Sequence, residues 1–191
     1  MFYLLFYLFS LFILKGYNVE HYNNTGRSTY GIVFAHPLQL VKLERHGWLS
    51  LIDSTHKTNK YDCRLFTLYV RDMYGCWDVG AHFFVSKEDS DTVTDALKII
   101  RRFGRHWNPR YILADQSHVE ANSIGKAFPG LRGGEQECAV IFYTVHVMRI
   151  WMSKIYETKA RSLMIQAMHK TTKVGCKELI NRQFVYVKSL E

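Results

Sequence analysis

Two aspartates, each closing a short apolar run, are the residues of this sequence best placed to do chemistry. Leu49-Ser-Leu-Ile-Asp53 stops at a carboxylate and passes into a polar, basic turn containing Lys57 and Lys60. Arg110-Tyr-Ile-Leu-Ala-Asp115 repeats the pattern sixty-two positions later (115 − 53). A buried strand that delivers an acid to its end can place a metal ligand, and two such acids side by side repel unless a cation sits between them. Two divalent ions about 3.5–4 Å apart would activate a water or hydroxyl and stabilise a leaving oxygen in phosphodiester cleavage or strand transfer. Taken singly, each aspartate is better read as structural, Asp53 as an N-cap or turn residue and Asp115 as the cap of the following helix. Their equivalence at two strand ends is what favours the metal reading, and such a site normally takes a third carboxylate.

Positioning those acids requires a sheet. Trp48 to Asp53, Arg64 to Val70 and Cys76 to Val85 read as three strands, rich in β-branched and aromatic residues and separated by turn signals such as Arg71-Asp-Met-Tyr-Gly75. Ser86 reads as the cap of a helix over Glu88 to Phe103, with Val93, Ala96, Leu97, Ile100 and Phe103 at helical spacing and Gly104 at its end. Arg110 to Ala114 is a fourth strand, Val119 to Phe128 a short helix, Ala139 to Val145 a fifth strand, and His146 to about His169 a long helix. Gln183 to Val187 fits a final strand or tail. The order β-β-β-α-β-α-β-α is that of a ribonuclease H-like mixed α/β sheet, in which the first strand pairs in parallel with the fourth through a crossover helix.

Upstream, Tyr17 to Arg45 is Asn- and Gly-rich and broken by Pro37, and reads as a linker with at most one short element. Met1 to Leu14 is almost unbroken apolar sequence. Fourteen residues rise about 21 Å as a helix, short of the roughly 30 Å of a bilayer core, and no basic n-region or small-x-small site marks a secretory signal. An upstream remnant is ranked before a membrane anchor, and a core helix third. The expected organisation is therefore residues 1–45 as apolar segment and linker, 46–180 as the folded domain and 181–191 as tail.

The chain has 191 residues, 48% of them hydrophobic and 15% aromatic, enough to bury a core of ordinary size. Its formal charge of +8 and pI near 9.3 point to a polyanionic partner, DNA first. After His146 nine basic residues face three acidic ones, a surplus of six of that eight. Lys98, Arg101, Arg102, Arg105 and Arg110 form a second basic group. Cys63, Cys76, Cys138 and Cys176 are spaced 13, 62 and 38 apart, which excludes zinc-ribbon and zinc-finger spacing and suits reduced thiols.

The stretches LIDSTHKTNKY (51–61), ILADQ (112–116), AFPG (127–130) and TVHVMR (144–149) together resemble the core of a Mutator-like element (MULE) transposase domain. That group also resembles the ribonuclease H-like domain of SWIM zinc-finger proteins. The resemblance implies a DDE transposase mechanism, in which DNA is cut and joined with Mg²⁺ or Mn²⁺, a nuclear location and a homo-oligomer as a candidate assembly. It makes Asp53 the first catalytic acid and metal ligand and Asp115 the second. His146 matches the His of a Cys-x-x-His motif whose Cys position holds Tyr143. Lys57, Lys60, Arg149 and Lys154 are candidate DNA contacts. The third acid of the family lies on a helix far downstream of the histidine, and no such insertion fits before Glu191. Glu157 and Glu178 are the stand-ins, although Glu157, among Lys154, Lys159 and Arg161, fits a surface i,i+4 pair better. The expectation is a truncated or degenerate transposase domain that retains nucleic-acid binding; the alternative is a small membrane-attached or protein-interaction module without catalysis.

Overall fold

The computed structural model describes residues 10–24, 26, 28–55, 62–115, 118–130, 137–142, 153, 156–170, 172, 174–179 and 181. Lys57, Lys60, His146, Arg149 and Lys154, most of residues 1–14, and the expected element at 183–187 lie outside them. The chain divides into two compact units, residues 1–142 and 143–191.

The first unit is a seven-stranded mixed sheet. Its strands are β1 (Asn18–Asn24), β2 (Thr29–Ala35), β3 (Leu49–Thr55), β4 (Arg64–Arg71), β5 (Trp77–Val85), β6 (Tyr111–Ala114) and β7 (Ala139–Phe142). Helix α1 (Pro37–His46) follows β2, α2 (Ser90–Phe103) joins β5 to β6, and α3 (His118–Ala127) follows β6. Across the sheet the order is β1-β2-β5-β4-β3-β6-β7, antiparallel except where β6 lies parallel to β3 and β7 parallel to β6. The expected β-β-β-α-β-α-β series is thus present from β3 to β7, and the first strand expected to carry an acid, β3, does run parallel beside β6.

The stretch read as a linker is instead integral to the sheet. Residues 18–24 pair along their whole length with β2, and β2 pairs with β5. NVEHYNN hides this because β1 is an edge strand, where polar residues are tolerated and discourage pairing with other chains. Pro37, read as a break, is the first residue of α1: its missing N–H costs nothing there. His36 caps that helix, its Nδ1 accepting from Leu38 N while Gln39 Oε1 accepts from His36 N at 2.8 Å. At α2 the cap is Asp89 rather than Ser86, because Asp89 Oδ1 accepts from both Asp91 N and Thr92 N at 3.0 Å. Ser86 Oγ is already engaged by Tyr30 N.

One face of the sheet carries all three helices. Phe66 and Phe83 stack on neighbouring strands with centroids 4.9 Å apart. Over that face lie Leu43 of α1, Val93, Leu97 and Ile100 of α2 and Ile124 of α3, all fully buried. On the opposite face Phe12, in the helical residues 10–14, stacks on Phe34 of β2 at 4.6 Å. No helix among the described residues is long and apolar enough to cross a membrane.

In the second unit the expected long helix is not continuous: Tyr156 and Glu157 are non-helical, and α4 (Thr158–Met168) starts afresh. Glu157 is its cap, with extended backbone and a carboxylate accepting from Lys159 N and Ala160 N. A carboxylate so placed satisfies amides that the helix leaves unpaired, so Glu157 serves its own helix.

Gly47, between α1 and β3, fixes how closely the loop before β6 approaches. Trp107 donates Nε1–H to Gly47 O at 3.1 Å, and a Cβ at position 47 would lie 2.5 Å from Trp107 Cδ1. Trp107 is buried and meets Phe128 edge-on, so it has no room to retreat. Gly47→Ala is expected to cost about 1–3 kcal/mol, lowering the melting midpoint by roughly 3–10 °C. A midpoint unchanged by the substitution contradicts this close approach.

Candidate acid site at the end of the central strands

Asp53 is neither a turn nor a cap residue: it lies within β3, opposite Thr67 of β4. The parallel pairing of β3 with β6 keeps a constant offset of sixty-two, from Leu49↔Tyr111 to Leu51↔Leu113. Two residues further, the same offset sets Asp53 opposite Asp115, which lies one residue beyond β6. Parallel neighbours are about 4.8 Å apart, so the two half-buried aspartates leave the same end of the sheet together. Ile52 and Ala114, the residues just before them, are fully buried on the helix-covered face and turn both aspartates toward the other.

Two further carboxylates converge on this end. Glu120, in the first turn of α3, is 1% exposed and reaches back so that its Oε2 accepts from Asp115 N at 2.9 Å. Ser123, one turn on, donates to Val119 O and Ser90 O, tying α3 to the start of α2. Burial pushes the Glu120 carboxyl up to about 8; the Asp115 N–H opposes that rise, while the charges of Asp115, Glu88 and Asp53 add to it. Glu88, just before α2, forms an ion pair with Arg64 at the start of β4. Beside Asp53 on the open face stand Thr67 and then His82, joined by a 3.1 Å hydrogen bond. Burial keeps the His82 imidazole below its ordinary pKa.

Glu120 and Glu88 were not among the candidate acids. The Ser117-x-x-Glu120 spacing is a capping-box signature, which names a local role and says nothing of burial beside an aspartate. Of the expected stand-ins, Glu157 caps α4 and Glu178 is exposed on a helical stretch. Cys138 is buried, and burial pushes its thiol up to about 12, far from the thiolate a metal needs.

Among the described residues no three His, Cys, Asp or Glu side chains are gathered closely enough to hold a metal ion. Asp53 and Asp115 alone match the way Mg²⁺ is commonly held, through one or two carboxylates with water and substrate phosphate oxygens filling the rest of the shell. That Glu120 is raised partly by both aspartates marks this end as a concentration of negative charge that a divalent ion would relieve. The donors are all oxygens, suiting Mg²⁺ or Mn²⁺ rather than zinc.

A family model of the zinc finger SWIM domain-containing protein 1/3 RNaseH-like domain matches residues 14–134. The match begins before β1 and extends beyond α3, and so includes Asp53, Asp115, Glu88 and Glu120. No curated protein matches the chain.

The Glu120 carboxyl gives the fold a pH dependence of definite sign. Its folded pKa, near 8, stands above the unfolded value near 4.5, so the folded chain holds a proton that the unfolded chain releases. Its contribution to stability is complete below the unfolded value and is lost as pH rises through the folded one, at up to about 1.4 kcal/mol per pH unit. In metal-free buffer, Glu120→Gln should gain on the wild type as urea unfolding is repeated from about pH 5 to about pH 8. A difference that stays constant across that window contradicts a protonated Glu120.

Proposed function

Because the chain belongs to the family of zinc finger SWIM domain-containing protein 1/3 RNaseH-like domains, we propose that it is a degenerate DDE transposase domain of Mutator-like ancestry that binds nucleic acid in the presence of Mg²⁺ or Mn²⁺. The RNaseH-like domain itself points to nuclease or transposase-like ancestry. The observation that carries the finer reading is the β3/β6 register, which sets Asp53 beside Asp115. A divalent ion bound there would supply charge neutralisation for a phosphodiester and a more acidic bound water.

The chain's own residues define what the site offers. Asp53 and Asp115 present carboxylate oxygens from two strands whose register is held by buried neighbours. Glu120 accepts the Asp115 N–H and so fixes the backbone that carries that aspartate. Arg64 neutralises Glu88 and limits the negative charge crowded at this end. Degeneracy is supported by Tyr143 in the place of the motif cysteine and by Glu120 being buried on an amide, not held out as a third ligand. DNA is the expected partner, and the nucleus the expected place of action.

Mn²⁺ titration by calorimetry on wild type, Asp53→Asn and Asp115→Asn, with plasmid nicking followed in parallel, tests this reading. Wild type should bind Mn²⁺, either substitution should weaken binding more than about 10-fold, and nicking should stay near background in all three. Equal Mn²⁺ affinity in the three proteins sinks the shared site. Robust nicking by wild type, abolished by both substitutions, would overturn degeneracy.

A further inference from the structure

The two edges of the sheet differ in chemistry. β1 lines one of them with Asn18, Glu20, His21, Asn23 and Asn24, a polar set in which Glu20 also pairs with Arg102. Such an edge is guarded against pairing with another chain. β7 lines the other with Ala139-Val-Ile-Phe142, which carries no charge, side-chain amide or proline. Ile141 is 44% exposed and Phe142 43% exposed, and no strand among the described residues lies beyond them.

The bonds of β7 show which of its backbone groups face outward. Ala139 donates its N–H to Arg110 O at 3.0 Å, so residue 139 turns its N–H and C=O toward β6. These groups alternate sides along a strand: Ile141 also points at β6, and Val140 and Phe142 turn theirs to the open edge. The side chains alternate as well. Val140 and Phe142 are paired with the buried Ile112 and Ala114 and share the helix-covered face, while Ile141, paired with Leu113, stands on the other.

We propose that β7 is the seam of a homodimer, in which the β7 edges of two copies pair antiparallel about a two-fold axis at Ile141. In that register Val140 and Phe142 of each copy exchange N–H···O=C bonds with Phe142 and Val140 of the other, and every outward group of the two residues finds a partner. Ile141 meets Ile141 of the second copy in a non-hydrogen-bonded pair, the closer kind, with Cα atoms about 4.5 Å apart. Each Phe142 lies across from a Val140, an aromatic–β-branched pair of the sort that stabilises sheets.

The backbone bonds are open to any strand, and the side chains select a second copy. A chain of net charge +8 repels its copies, yet in this register apolar residues meet apolar residues and no charged side chain of β7 meets another. Four residues a side make a small contact, below the roughly 800 Å² per partner of a standard interface, so the dimer is a weak one. The two-fold axis stands perpendicular to the sheet, and the open faces of both copies run on as one surface. Their Asp115 residues stand about 20 Å apart on it, roughly three strand spacings across and four residues along. The seam itself depends on neither the acid pair nor a metal.

The test is sedimentation equilibrium of the full chain from about 5 to about 500 µM. EDTA and a thiol reductant are present, which prevent metal bridging and disulfides through the exposed Cys76. The mass should rise from 22.5 kDa toward twice that value, with a dissociation constant on the order of 100 µM. Phe142→Pro removes an outward N–H and no bond to β6, and Ile141→Lys sets like charges face to face. Each should weaken association at least about 10-fold while melting within a few degrees of wild type. Asn23→Lys, on the exposed part of β1, should dimerise as wild type does. An equimolar mixture of Ile141→Lys and Ile141→Asp chains should recover association that neither shows alone. A dimer that survives both Phe142→Pro and Ile141→Lys, one lost in Asn23→Lys, or a mixture no more associated than its components overturns the proposal. A wild type monomeric throughout also overturns it, and leaves the edge to an extended peptide of another protein.

Discussion

Everything in the first unit depends on the parallel register between β3 and β6. Ile52 and Ala114 are fully buried under α2 and α3, and a slip of one residue would turn each of them onto the open face. The apolar side of two central strands therefore fixes where their polar ends meet. Two carboxylates about 5 Å apart repel by a few kcal/mol at an effective dielectric near 20, and the buried register holds them together against that repulsion. Hydrophobic burial thus creates the electrostatic feature on which the proposed function rests.

The surroundings of that pair are arranged to tolerate it. Arg64 answers Glu88, and Glu120 avoids adding a charge by keeping its proton in a buried setting near neutral pH.

Much of this was legible in the sequence, for identifiable reasons. β3 to β6 are short runs of β-branched and aromatic residues bounded by turns, and α2 has a clean helical period, so their order and the adjacency of Asp53 with Asp115 followed. β1 was hidden because an edge strand needs no alternating apolar face, and α1 because Pro37 reads as a breaker until its place at a helix start is known. Glu120 was hidden for a different reason. Its spacing after Ser117 describes a cap, while its burial and its bond to Asp115 arise only when α3 folds back over β6.

The central claim is that Asp53 and Asp115 form one cation site. Mn²⁺-induced broadening of backbone amide signals in an isotope-labelled sample tests it most directly, because the paramagnetic effect falls steeply with distance. Substoichiometric Mn²⁺ should erase the signals of residues 52–54 together with those of Asp115 and the first turn of α3, and spare those around Trp48 and Trp77. Broadening at only one of the two strand ends, or none at either, would contradict the shared site.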